Sequence, residues 1–319
     1  MMEWLELELE VLTPAFISGA DQNQLELRSA SVRGLLRWWW RAAVGHQYDD
    51  PAKLAEAEAS LFGSAEHKLK SPLQATVTVI SDDFRQWAMG QDGLIPEQPG
   101  ILGYLGYGAL WRPGQAPRPA IGPGSKFKVK LAWRHGWLTQ DQQDGLVHAA
   151  CAWVTLGGIG SRSRKGFGQL DGNVSKANSE ELCQKARDTW KKYHNDLLTK
   201  NGQEVGSQLP PFPQLTYRQI WQSSQTYSNW QDALGSIGKC YKEHRPSGSQ
   251  RWIAGDAKPR RASSVLISVI RENIQHEGTN TKSEYRPLLC LLPCINRPDN
   301  PEEEAMKRFI KEFSALTCS

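Results

Sequence analysis

Residues 28–41 read RSASVRGLLRWWWR, and their spacing predicts an amphipathic helix. On a helical wheel of about 100° per residue, Arg33, Arg37 and Arg41 fall within one narrow stripe. Leucine, alanine and tryptophan side chains fill the opposite arc, and Trp39 lies in its middle. The segment therefore predicts a buried apolar face and an exposed ladder of guanidinium groups.

The ends and borders of this helix follow from its flanking residues. Ser31 is the expected N-cap, and the helix is expected to run to about Val44 with Gly45 at its C-terminal end. Trp38 and Trp40 lie on the two borders of the apolar arc, where each ring is expected to be half-exposed.

Segments on both sides of the helix alternate apolar and polar residues, which indicates half-buried strands. In chain order the N-terminal half is expected to contain a strand over Glu3–Leu12, the helix above, a helix over Pro51–Leu61, strands over Leu73–Ile80 and Lys126–Trp133, a helix over Thr139–Leu156 and a strand over Gln169–Val174. This is the β-α-β-β-α-β order of the ferredoxin-like, or RRM-like, fold. The Gly- and Pro-rich residues 90–124 are expected to form a long insertion or lid.

The same pattern restarts after a polar helix over residues 178–198 and a Gly- and Pro-rich linker. The expected elements are a strand over Gln214–Trp221, a helix over Asn229–His244, strands over Ser263–Ile270 and Arg286–Leu292, and a helix over Pro301–Leu316. The sequence thus predicts an α+β protein of two tandem ferredoxin-like domains, at residues 1–175 and 176–319, with the connecting helix in the second.

The overall charge is only mildly basic, since 38 Lys and Arg face 34 Asp and Glu in 319 residues, for a net charge of +4. A claim of nucleic-acid binding therefore depends on where the charges lie. No apolar run approaches the roughly 18 residues of a membrane span, and the first residues do not resemble a secretory signal. A soluble cytoplasmic protein with no membrane partner is expected.

The sequence favours neither a metal nor a cofactor. The six cysteines and seven histidines are scattered without the spacing of metal ligands. No Walker loop or dinucleotide fingerprint is present, so ATP and NAD are poor candidates.

The arginine ladder has a functional and a structural interpretation. No acidic residue lies between Arg28 and Tyr48, so the like charges are expected to be unneutralised by neighbours in sequence. Guanidinium groups four residues apart are about 6 Å apart along a helix axis, close to the phosphate spacing of an extended nucleic-acid strand. The alternative is an ordinary amphipathic helix whose arginine stems cover apolar rings.

Residues 157–168, GGIGSRSRKGFG, combine five glycines and three cations with no acid. Glycine lets a backbone approach a phosphate closely, and the interleaved Arg and Lys supply the opposite charge. A flexible surface turn is the alternative, but a turn alone does not need three cations. An RNA backbone across this loop is the better account.

These two segments resemble the RAMP superfamily of CRISPR effector proteins, in which a ferredoxin-like fold carries a Gly-rich loop of this kind. Residues 13–21, 26–28, 31–42 (SVRGLLRWWWRA) and 58–63 (EASLFG) look like the first RAMP subunit of type III-B Cmr complexes. The resemblance spans roughly residues 1–175.

The resemblance implies a binding subunit without chemistry of its own. Such a subunit lies near the 3′ end of the guide CRISPR RNA, beside other RAMP subunits of the Cmr complex, and contacts guide and target RNA. The residues expected to bind RNA are Arg28, Arg33, Arg37, Trp38, Arg41, Gly158, Gly160, Arg162, Arg164, Lys165 and Gly166.

Two further hypotheses remain open at this point. In a RAMP endoribonuclease, Asp21 or His46 are the candidate catalytic residues, and His148 is a third position that could lie near RNA. Each has a plainer interpretation, since an Asp in a polar loop commonly forms a turn and a single His is commonly structural. In a scaffold, the Trp-rich faces would bind protein neighbours.

Overall fold

The computed structural model describes residues 1–80, 86–87, 100–114, 118–204, 209–257, 260–274, 282–294 and 300–314. The helices and strands follow one another along the chain as β1 (Met2–Val11), α1 (Ser29–Val44), α2 (Pro51–Phe62), β2 (Gln74–Val79), β3 (Gln86–Trp87), α3 (Gly100–Leu105), β4 (Ala120–Ile121), β5 (Lys126–Arg134), α4 (Gln140–Leu156), β6 (Leu170–Ala177), α5 (Glu180–Thr199), β7 (Gln219–Gln222), α6 (Trp230–Glu243), β8 (Asp256–Ala257), β9 (Arg260–Arg261), β10 (Val265–Ile274), β11 (Lys282–Leu291) and α7 (Asn300–Ser314). None of the helices in this described part is long and apolar enough to cross a membrane.

The first sheet has four antiparallel strands in the order β2-β5-β1-β6. Counted along the chain this order is 2-3-1-4, which is how a β-α-β-β-α-β chain forms a ferredoxin-like sheet. Alternate residues of β1 and β5 are buried, and α1 and α4 pack together over this apolar face. The predicted α+β fold with antiparallel sheets is confirmed.

The opposite face of this sheet carries a ladder of opposite charges. Glu6, Glu8 and Glu10 of β1 are register partners of Lys130, Lys128 and Lys126 of β5. Opposite charges directly across an antiparallel pair stabilise the sheet by a few tenths of a kcal/mol each. An RRM stacks RNA bases on aromatic side chains of its sheet face, whereas this face alternates carboxylates and ammonium groups.

The second sheet has three antiparallel strands within the described residues, in the order β10-β11-β7. These strands take the places of the second, third and first strands of a ferredoxin-like unit, and α6 packs against β10 and β11. A fourth strand does not occur in the part of the chain that is described. The tandem repetition of complete ferredoxin-like domains therefore stays a prediction.

The two halves share their apolar cores. Phe16 and Phe167 from the first half pack in the same core as α6 and β10, with their ring centroids 5.4 Å apart. On the other side, buried residues of α5 such as Trp190 belong to the core of the first sheet. The predicted domain boundary between residues 175 and 176 falls inside β6, which ends at Ala177, and it stays a prediction.

Hydrogen bonds and ion pairs join the same halves. Arg271 of β10 donates to the carboxylate of Glu10 on β1 at 2.7 and 3.1 Å and to Asp171 on β6 at 2.6 and 2.9 Å. The fully buried Ser268 hydroxyl donates to the carbonyl of Thr155 at 3.0 Å. These contacts fix the second sheet against the edge of the first.

Some local expectations were wrong. The helix α1 begins at Ser29 with Arg28 at its N-cap position, so Ser31 lies inside it. Trp40 is buried because Phe62 of α2 packs edge-on against it at 6.0 Å. Within 90–124, the described residues form α3 and β4, while 90–99 and 115–117 lie outside the described residues.

Candidate nucleic-acid interface

The Gly-rich loop leaves α4 at Leu156 and returns to the sheet at Leu170. Two of its glycines have φ angles of +86° at Gly160 and +84° at Gly166. A Cβ at Gly160 would lie 2.5 Å from the carbonyl oxygen of Phe16, and one at Gly166 would lie 2.2 Å from a methyl group of Leu234. Each glycine thus permits a close approach within the protein, and its approach to a phosphate stays a prediction.

Gly158 is equally crowded, since a Cβ there would lie 2.7 Å from the carbonyl oxygen of Gly168. The loop is therefore folded tightly on itself and on its neighbours. Its role for the interface is to hold the three cations between the glycines.

Arg162 occupies a backbone conformation that glycine usually takes, with φ of +65°. This costs an arginine about 1 kcal/mol relative to glycine. The residue as a whole is exposed, and its guanidinium donates to the carbonyl of Tyr107. Partial burial of the guanidinium, and then the charge of Arg118, lower its pKa. A strained backbone at an exposed cation is a common feature of binding sites.

Arg164 is held between the two halves of the protein. Its guanidinium lies 4.7 Å from the ring centroid of Trp38 on α1 and donates to the carbonyl of Ser263 at 2.6 Å. Burial lowers its pKa from the ordinary value of an arginine. Trp38, predicted as an RNA-stacking residue, therefore presents a ring face to Arg164 and its edge to Trp39.

Lys165 lies beside a tyrosine of the second half. Its Nζ donates to the hydroxyl of Tyr241 at 2.6 Å and lies 3.4 Å from the hydroxyl oxygen of Ser263. Burial lowers the pKa of Lys165 to about 7, and the nearby charges of Arg245, Arg162 and Arg164 add to that shift. This ammonium group therefore has several positive neighbours and no described carboxylate partner.

These cations open into a cleft of about 1200 Å³, which we call the basic cleft. Its walls come from the Gly-rich loop, from residues 100–112 and Arg118 of the insertion and from residues 241–263 of the second half. The described residues lining it include four aromatic side chains and seven cations but no acid. They are Tyr104, Tyr107, Trp111, Tyr241, Arg112, Arg118, Arg162, Arg164, Lys165, Arg245 and Arg251.

The arginine ladder of α1 lines a different surface. Arg33 and Arg37 border a shallow groove of about 870 Å³ together with Lys68 and Lys70, and none of its lining residues borders the basic cleft. Arg33 donates to the carbonyl of Phe62, and its pKa is lowered by burial and by the charge of Arg37.

The expectation that the ladder is unneutralised was wrong, because α2 supplies a carboxylate. Glu58 is buried, and its oxygens accept from Arg37 and from Arg41, the latter at 2.8 and 2.9 Å. The two arginine side chains nevertheless remain about 40% exposed. Arg28, at the start of the helix, lies 3.7 Å from the carboxylate of Glu26.

The weak catalytic candidates lie outside both surfaces. The Asp21 carboxylate accepts from the backbone N–H of Asn23 at 2.9 Å, which is the hydrogen bond of a turn-forming Asp. His46 follows α1 in a short 3-10 helix, and desolvation lowers its pKa. His148 stacks on Tyr193 with ring centroids 3.7 Å apart, and burial lowers its pKa to about 3. The described residues include no group of three or more His, Cys, Asp or Glu that could hold a metal ion.

Several residues of the basic cleft were not predicted from the sequence. Arg112, Arg118, Arg245, Arg251 and the aromatic side chains come from the insertion and the second half. One feature of the sequence could have pointed to the cations of the insertion: there is no acidic residue from Gln98 to Gln140. The cations that the second half adds to the cleft are brought there by packing between the halves, and no local sequence pattern indicates that packing.

Comparisons with known proteins agree with this architecture. A family model described as the RAMP superfamily matches residues 8–171. Two curated relatives from Pyrococcus furiosus are the CRISPR system Cmr subunits Cmr1-2 and Cmr1-1. The first is 30% identical over 177 residues, covering 51% of this chain and 91% of its own. The second is 26% identical over 277 residues, covering 78% and 75%.

Two solved structures share the fold over nearly the whole chain. The crystal structure of Cmr1 from Pyrococcus furiosus in its apo form has a TM-score of 0.54 at 21% identity, covering 99% of this chain and 98% of its own. A chain of the type III-B Cmr-beta complex bound to cognate target RNA, determined by cryo-EM, has a TM-score of 0.53 at 11% identity, with 97% and 100% coverage.

Proposed function

Because the chain belongs to the RAMP superfamily, we propose that it is a non-catalytic RNA-binding subunit of a type III-B Cmr effector complex, contacting guide or target RNA near the guide 3′ end. Its curated relatives are Cmr subunits, and a chain of the same fold occurs in a Cmr complex with target RNA. In this role the neighbours are other RAMP subunits, and base pairing with the guide supplies sequence specificity.

The basic cleft is the observation that carries the proposal. Seven cations converge there without a described acid in the lining, although the chain as a whole has a net charge of only +4. Neutralising phosphates with Lys and Arg releases counterions, which is the main source of sequence-independent affinity for nucleic acids. The aromatic side chains of the same walls provide faces for bases.

The predicted RNA-binding residues divide between two surfaces in this proposal. Arg162, Arg164 and Lys165 contact RNA in the basic cleft, with Trp38 supporting Arg164 and the loop glycines shaping the wall. Arg28, Arg33, Arg37 and Arg41 are secondary contacts for a further RNA segment, since Glu58 offsets part of their charge.

The proposal is tested by a charge reversal at the rim of the basic cleft. Arg251 lines the cleft and is exposed, so Arg251→Glu changes the charge without disturbing a core. We expect weaker binding of single-stranded RNA and a salt dependence, as log K against log [salt], flatter by about 0.7 for each phosphate that the variant no longer neutralises. Lys191→Glu on the exposed side of α5 is the matched control and should bind as the unmodified protein does.

Two outcomes would contradict the proposal. If Arg251→Glu and Arg162→Glu both keep the affinity and the salt dependence of the control, the basic cleft does not hold RNA. If the isolated protein cuts RNA and the activity is lost in Asp21→Ala or His46→Ala, the chain is instead a RAMP endoribonuclease. Native mass spectrometry of the particle purified with the tagged chain tests its membership of an RNA-containing complex.

A further inference from the structure

Two aromatic side chains of the insertion face the basic cleft from the turn at residues 106–111. Tyr107 is 47% exposed, and the half-buried Trp111 packs against its ring at a centroid distance of 6.0 Å and an interplanar angle of 61°. Both residues line the cleft together with its cations.

The turn that carries these rings is firmly held. The backbone N–H of Gly108 donates to the carbonyl of Trp111 at 2.8 Å, which closes the turn. Arg162 donates to the carbonyl of Tyr107, so the Gly-rich loop supports the turn from the other wall. Before the turn, α3 packs against α6 of the second half. The rings are therefore presented in a fixed position.

Among the described residues, Trp111 is the aromatic side chain that packs against Tyr107, and Tyr107 remains 47% exposed. Full burial of such a side chain stabilises a fold, and an exposed ring forgoes that gain. The cations Arg112, Arg118 and Arg162 line the same cleft. A flat π-surface beside several cations matches the two parts of a nucleotide, its base and its phosphate.

The shape of the site favours an unpaired nucleotide over a double helix. Proteins recognise double-stranded RNA across an open surface that spans its minor groove, where the bases are stacked and paired. Here Tyr107 and Trp111 line a cleft together with the Gly-rich loop and residues 241–263 of the second half, so a base that has left its stack reaches the rings more readily than a stacked and paired one.

We propose that Tyr107 and Trp111 form a base-stacking subsite that holds one unpaired nucleobase, so that the basic cleft selects single-stranded over double-stranded RNA. This inference rests on the proposed RNA-binding function and adds to it the form of RNA that the cleft accepts. It also gives the insertion a role, as the stacking wall of the cleft.

The test measures stacking and affinity separately with full-length protein. A single-stranded oligonucleotide carrying 2-aminopurine reports stacking by quenching of its fluorescence, and anisotropy with labelled single- and double-stranded RNA reports affinity. For Tyr107→Ala and Trp111→Ala we expect single-stranded RNA to bind about tenfold more weakly, with quenching abolished. Tyr107→Phe keeps the ring and should keep both.

Trp137→Ala is the matched control. This tryptophan is 53% exposed, lies outside the cleft and is covered on one face by Arg134 at 4.8 Å. If the alanine variants of Tyr107 and Trp111 bind and quench as this control does, the subsite is refuted while RNA binding stands. Equal affinity of the unmodified protein for single- and double-stranded RNA also refutes the selectivity. Absence of any RNA binding by the unmodified protein refutes the proposed function itself.

Discussion

We expect RNA affinity to depend on pH between about 7 and 9 through the ammonium group of Lys165. In the free protein, burial and the charges of Arg245, Arg162 and Arg164 lower its pKa to about 7. The groups within hydrogen-bond range of its Nζ, the hydroxyls of Tyr241 and Ser263, carry no negative charge, and burial raises the pKa of that tyrosine far above its ordinary value. A phosphate placed beside the Nζ favours the charged form and raises the pKa again.

The magnitude follows from linkage between protonation and binding. With a pKa of about 7, roughly half of the free protein has a charged Lys165 at pH 7 and only about 1% at pH 9. If RNA binds the charged form, affinity falls by up to about 50-fold over this interval, or about 2 kcal/mol. The fall levels off when it reaches the affinity of a Lys165→Met variant, which has no charge to lose.

The assay is anisotropy with a labelled single-stranded RNA at pH 6, 7, 8 and 9 and constant ionic strength. Calorimetry in two buffers of different ionisation enthalpy then measures proton uptake directly. The control is Lys165→Arg, because a guanidinium stays protonated throughout this range and should give a flat profile. Identical pH profiles for the unmodified protein and Lys165→Arg, with no proton uptake in either, would refute the assignment of Lys165 to the phosphate site.

Two further expectations concern the junction of the halves, and urea unfolding checks both. Arg271→Met leaves the carboxylates of Glu10 and Asp171 without their shared partner, and we expect the free energy of unfolding to fall by about 3 kcal/mol; a change below about 0.5 kcal/mol would contradict this. Thr13→Val removes a buried hydroxyl that donates to the carbonyl of Gly166 at 2.8 Å and accepts from a backbone N–H of the same loop, so we expect a decrease of about 2 kcal/mol. An unchanged unfolding midpoint for Thr13→Val would show that water replaces the hydroxyl.

The elements of the first half could be predicted because their signals are local. The alternation in β1 and the spacing of apolar residues in α1 and α4 come from contacts within one sheet and its helices. Thr139 even forms the capping box expected where a helix begins, with Gln142 as its reciprocal partner. Such patterns need no knowledge of distant residues.

The residues that contact the predicted site residues could not be predicted from local sequence patterns. Nothing near Arg37 in sequence indicates that its carboxylate partner is Glu58, 21 residues later and on another helix. In the Gly-rich loop, the glycines correctly marked tight geometry, but the sequence could not show that the close neighbours are Phe16 and Leu234. The charge and the tight backbone geometry of a segment were therefore predictable, whereas its contact partners in the folded protein were not.

The basic cleft exists only because the two halves are fixed against each other. Arg164 contacts Trp38 of the first half and Ser263 of the second, and its backbone carbonyl accepts from the N–H of Ile267 on β10 at 3.1 Å. Arg271 locks the same strand to the first sheet from the other end. Because cations with few opposite charges repel one another, the cleft would open unless such contacts held it. An RNA backbone bound in the cleft would relieve that repulsion, so we expect the rigidity of the junction and the affinity for RNA to have the same structural origin.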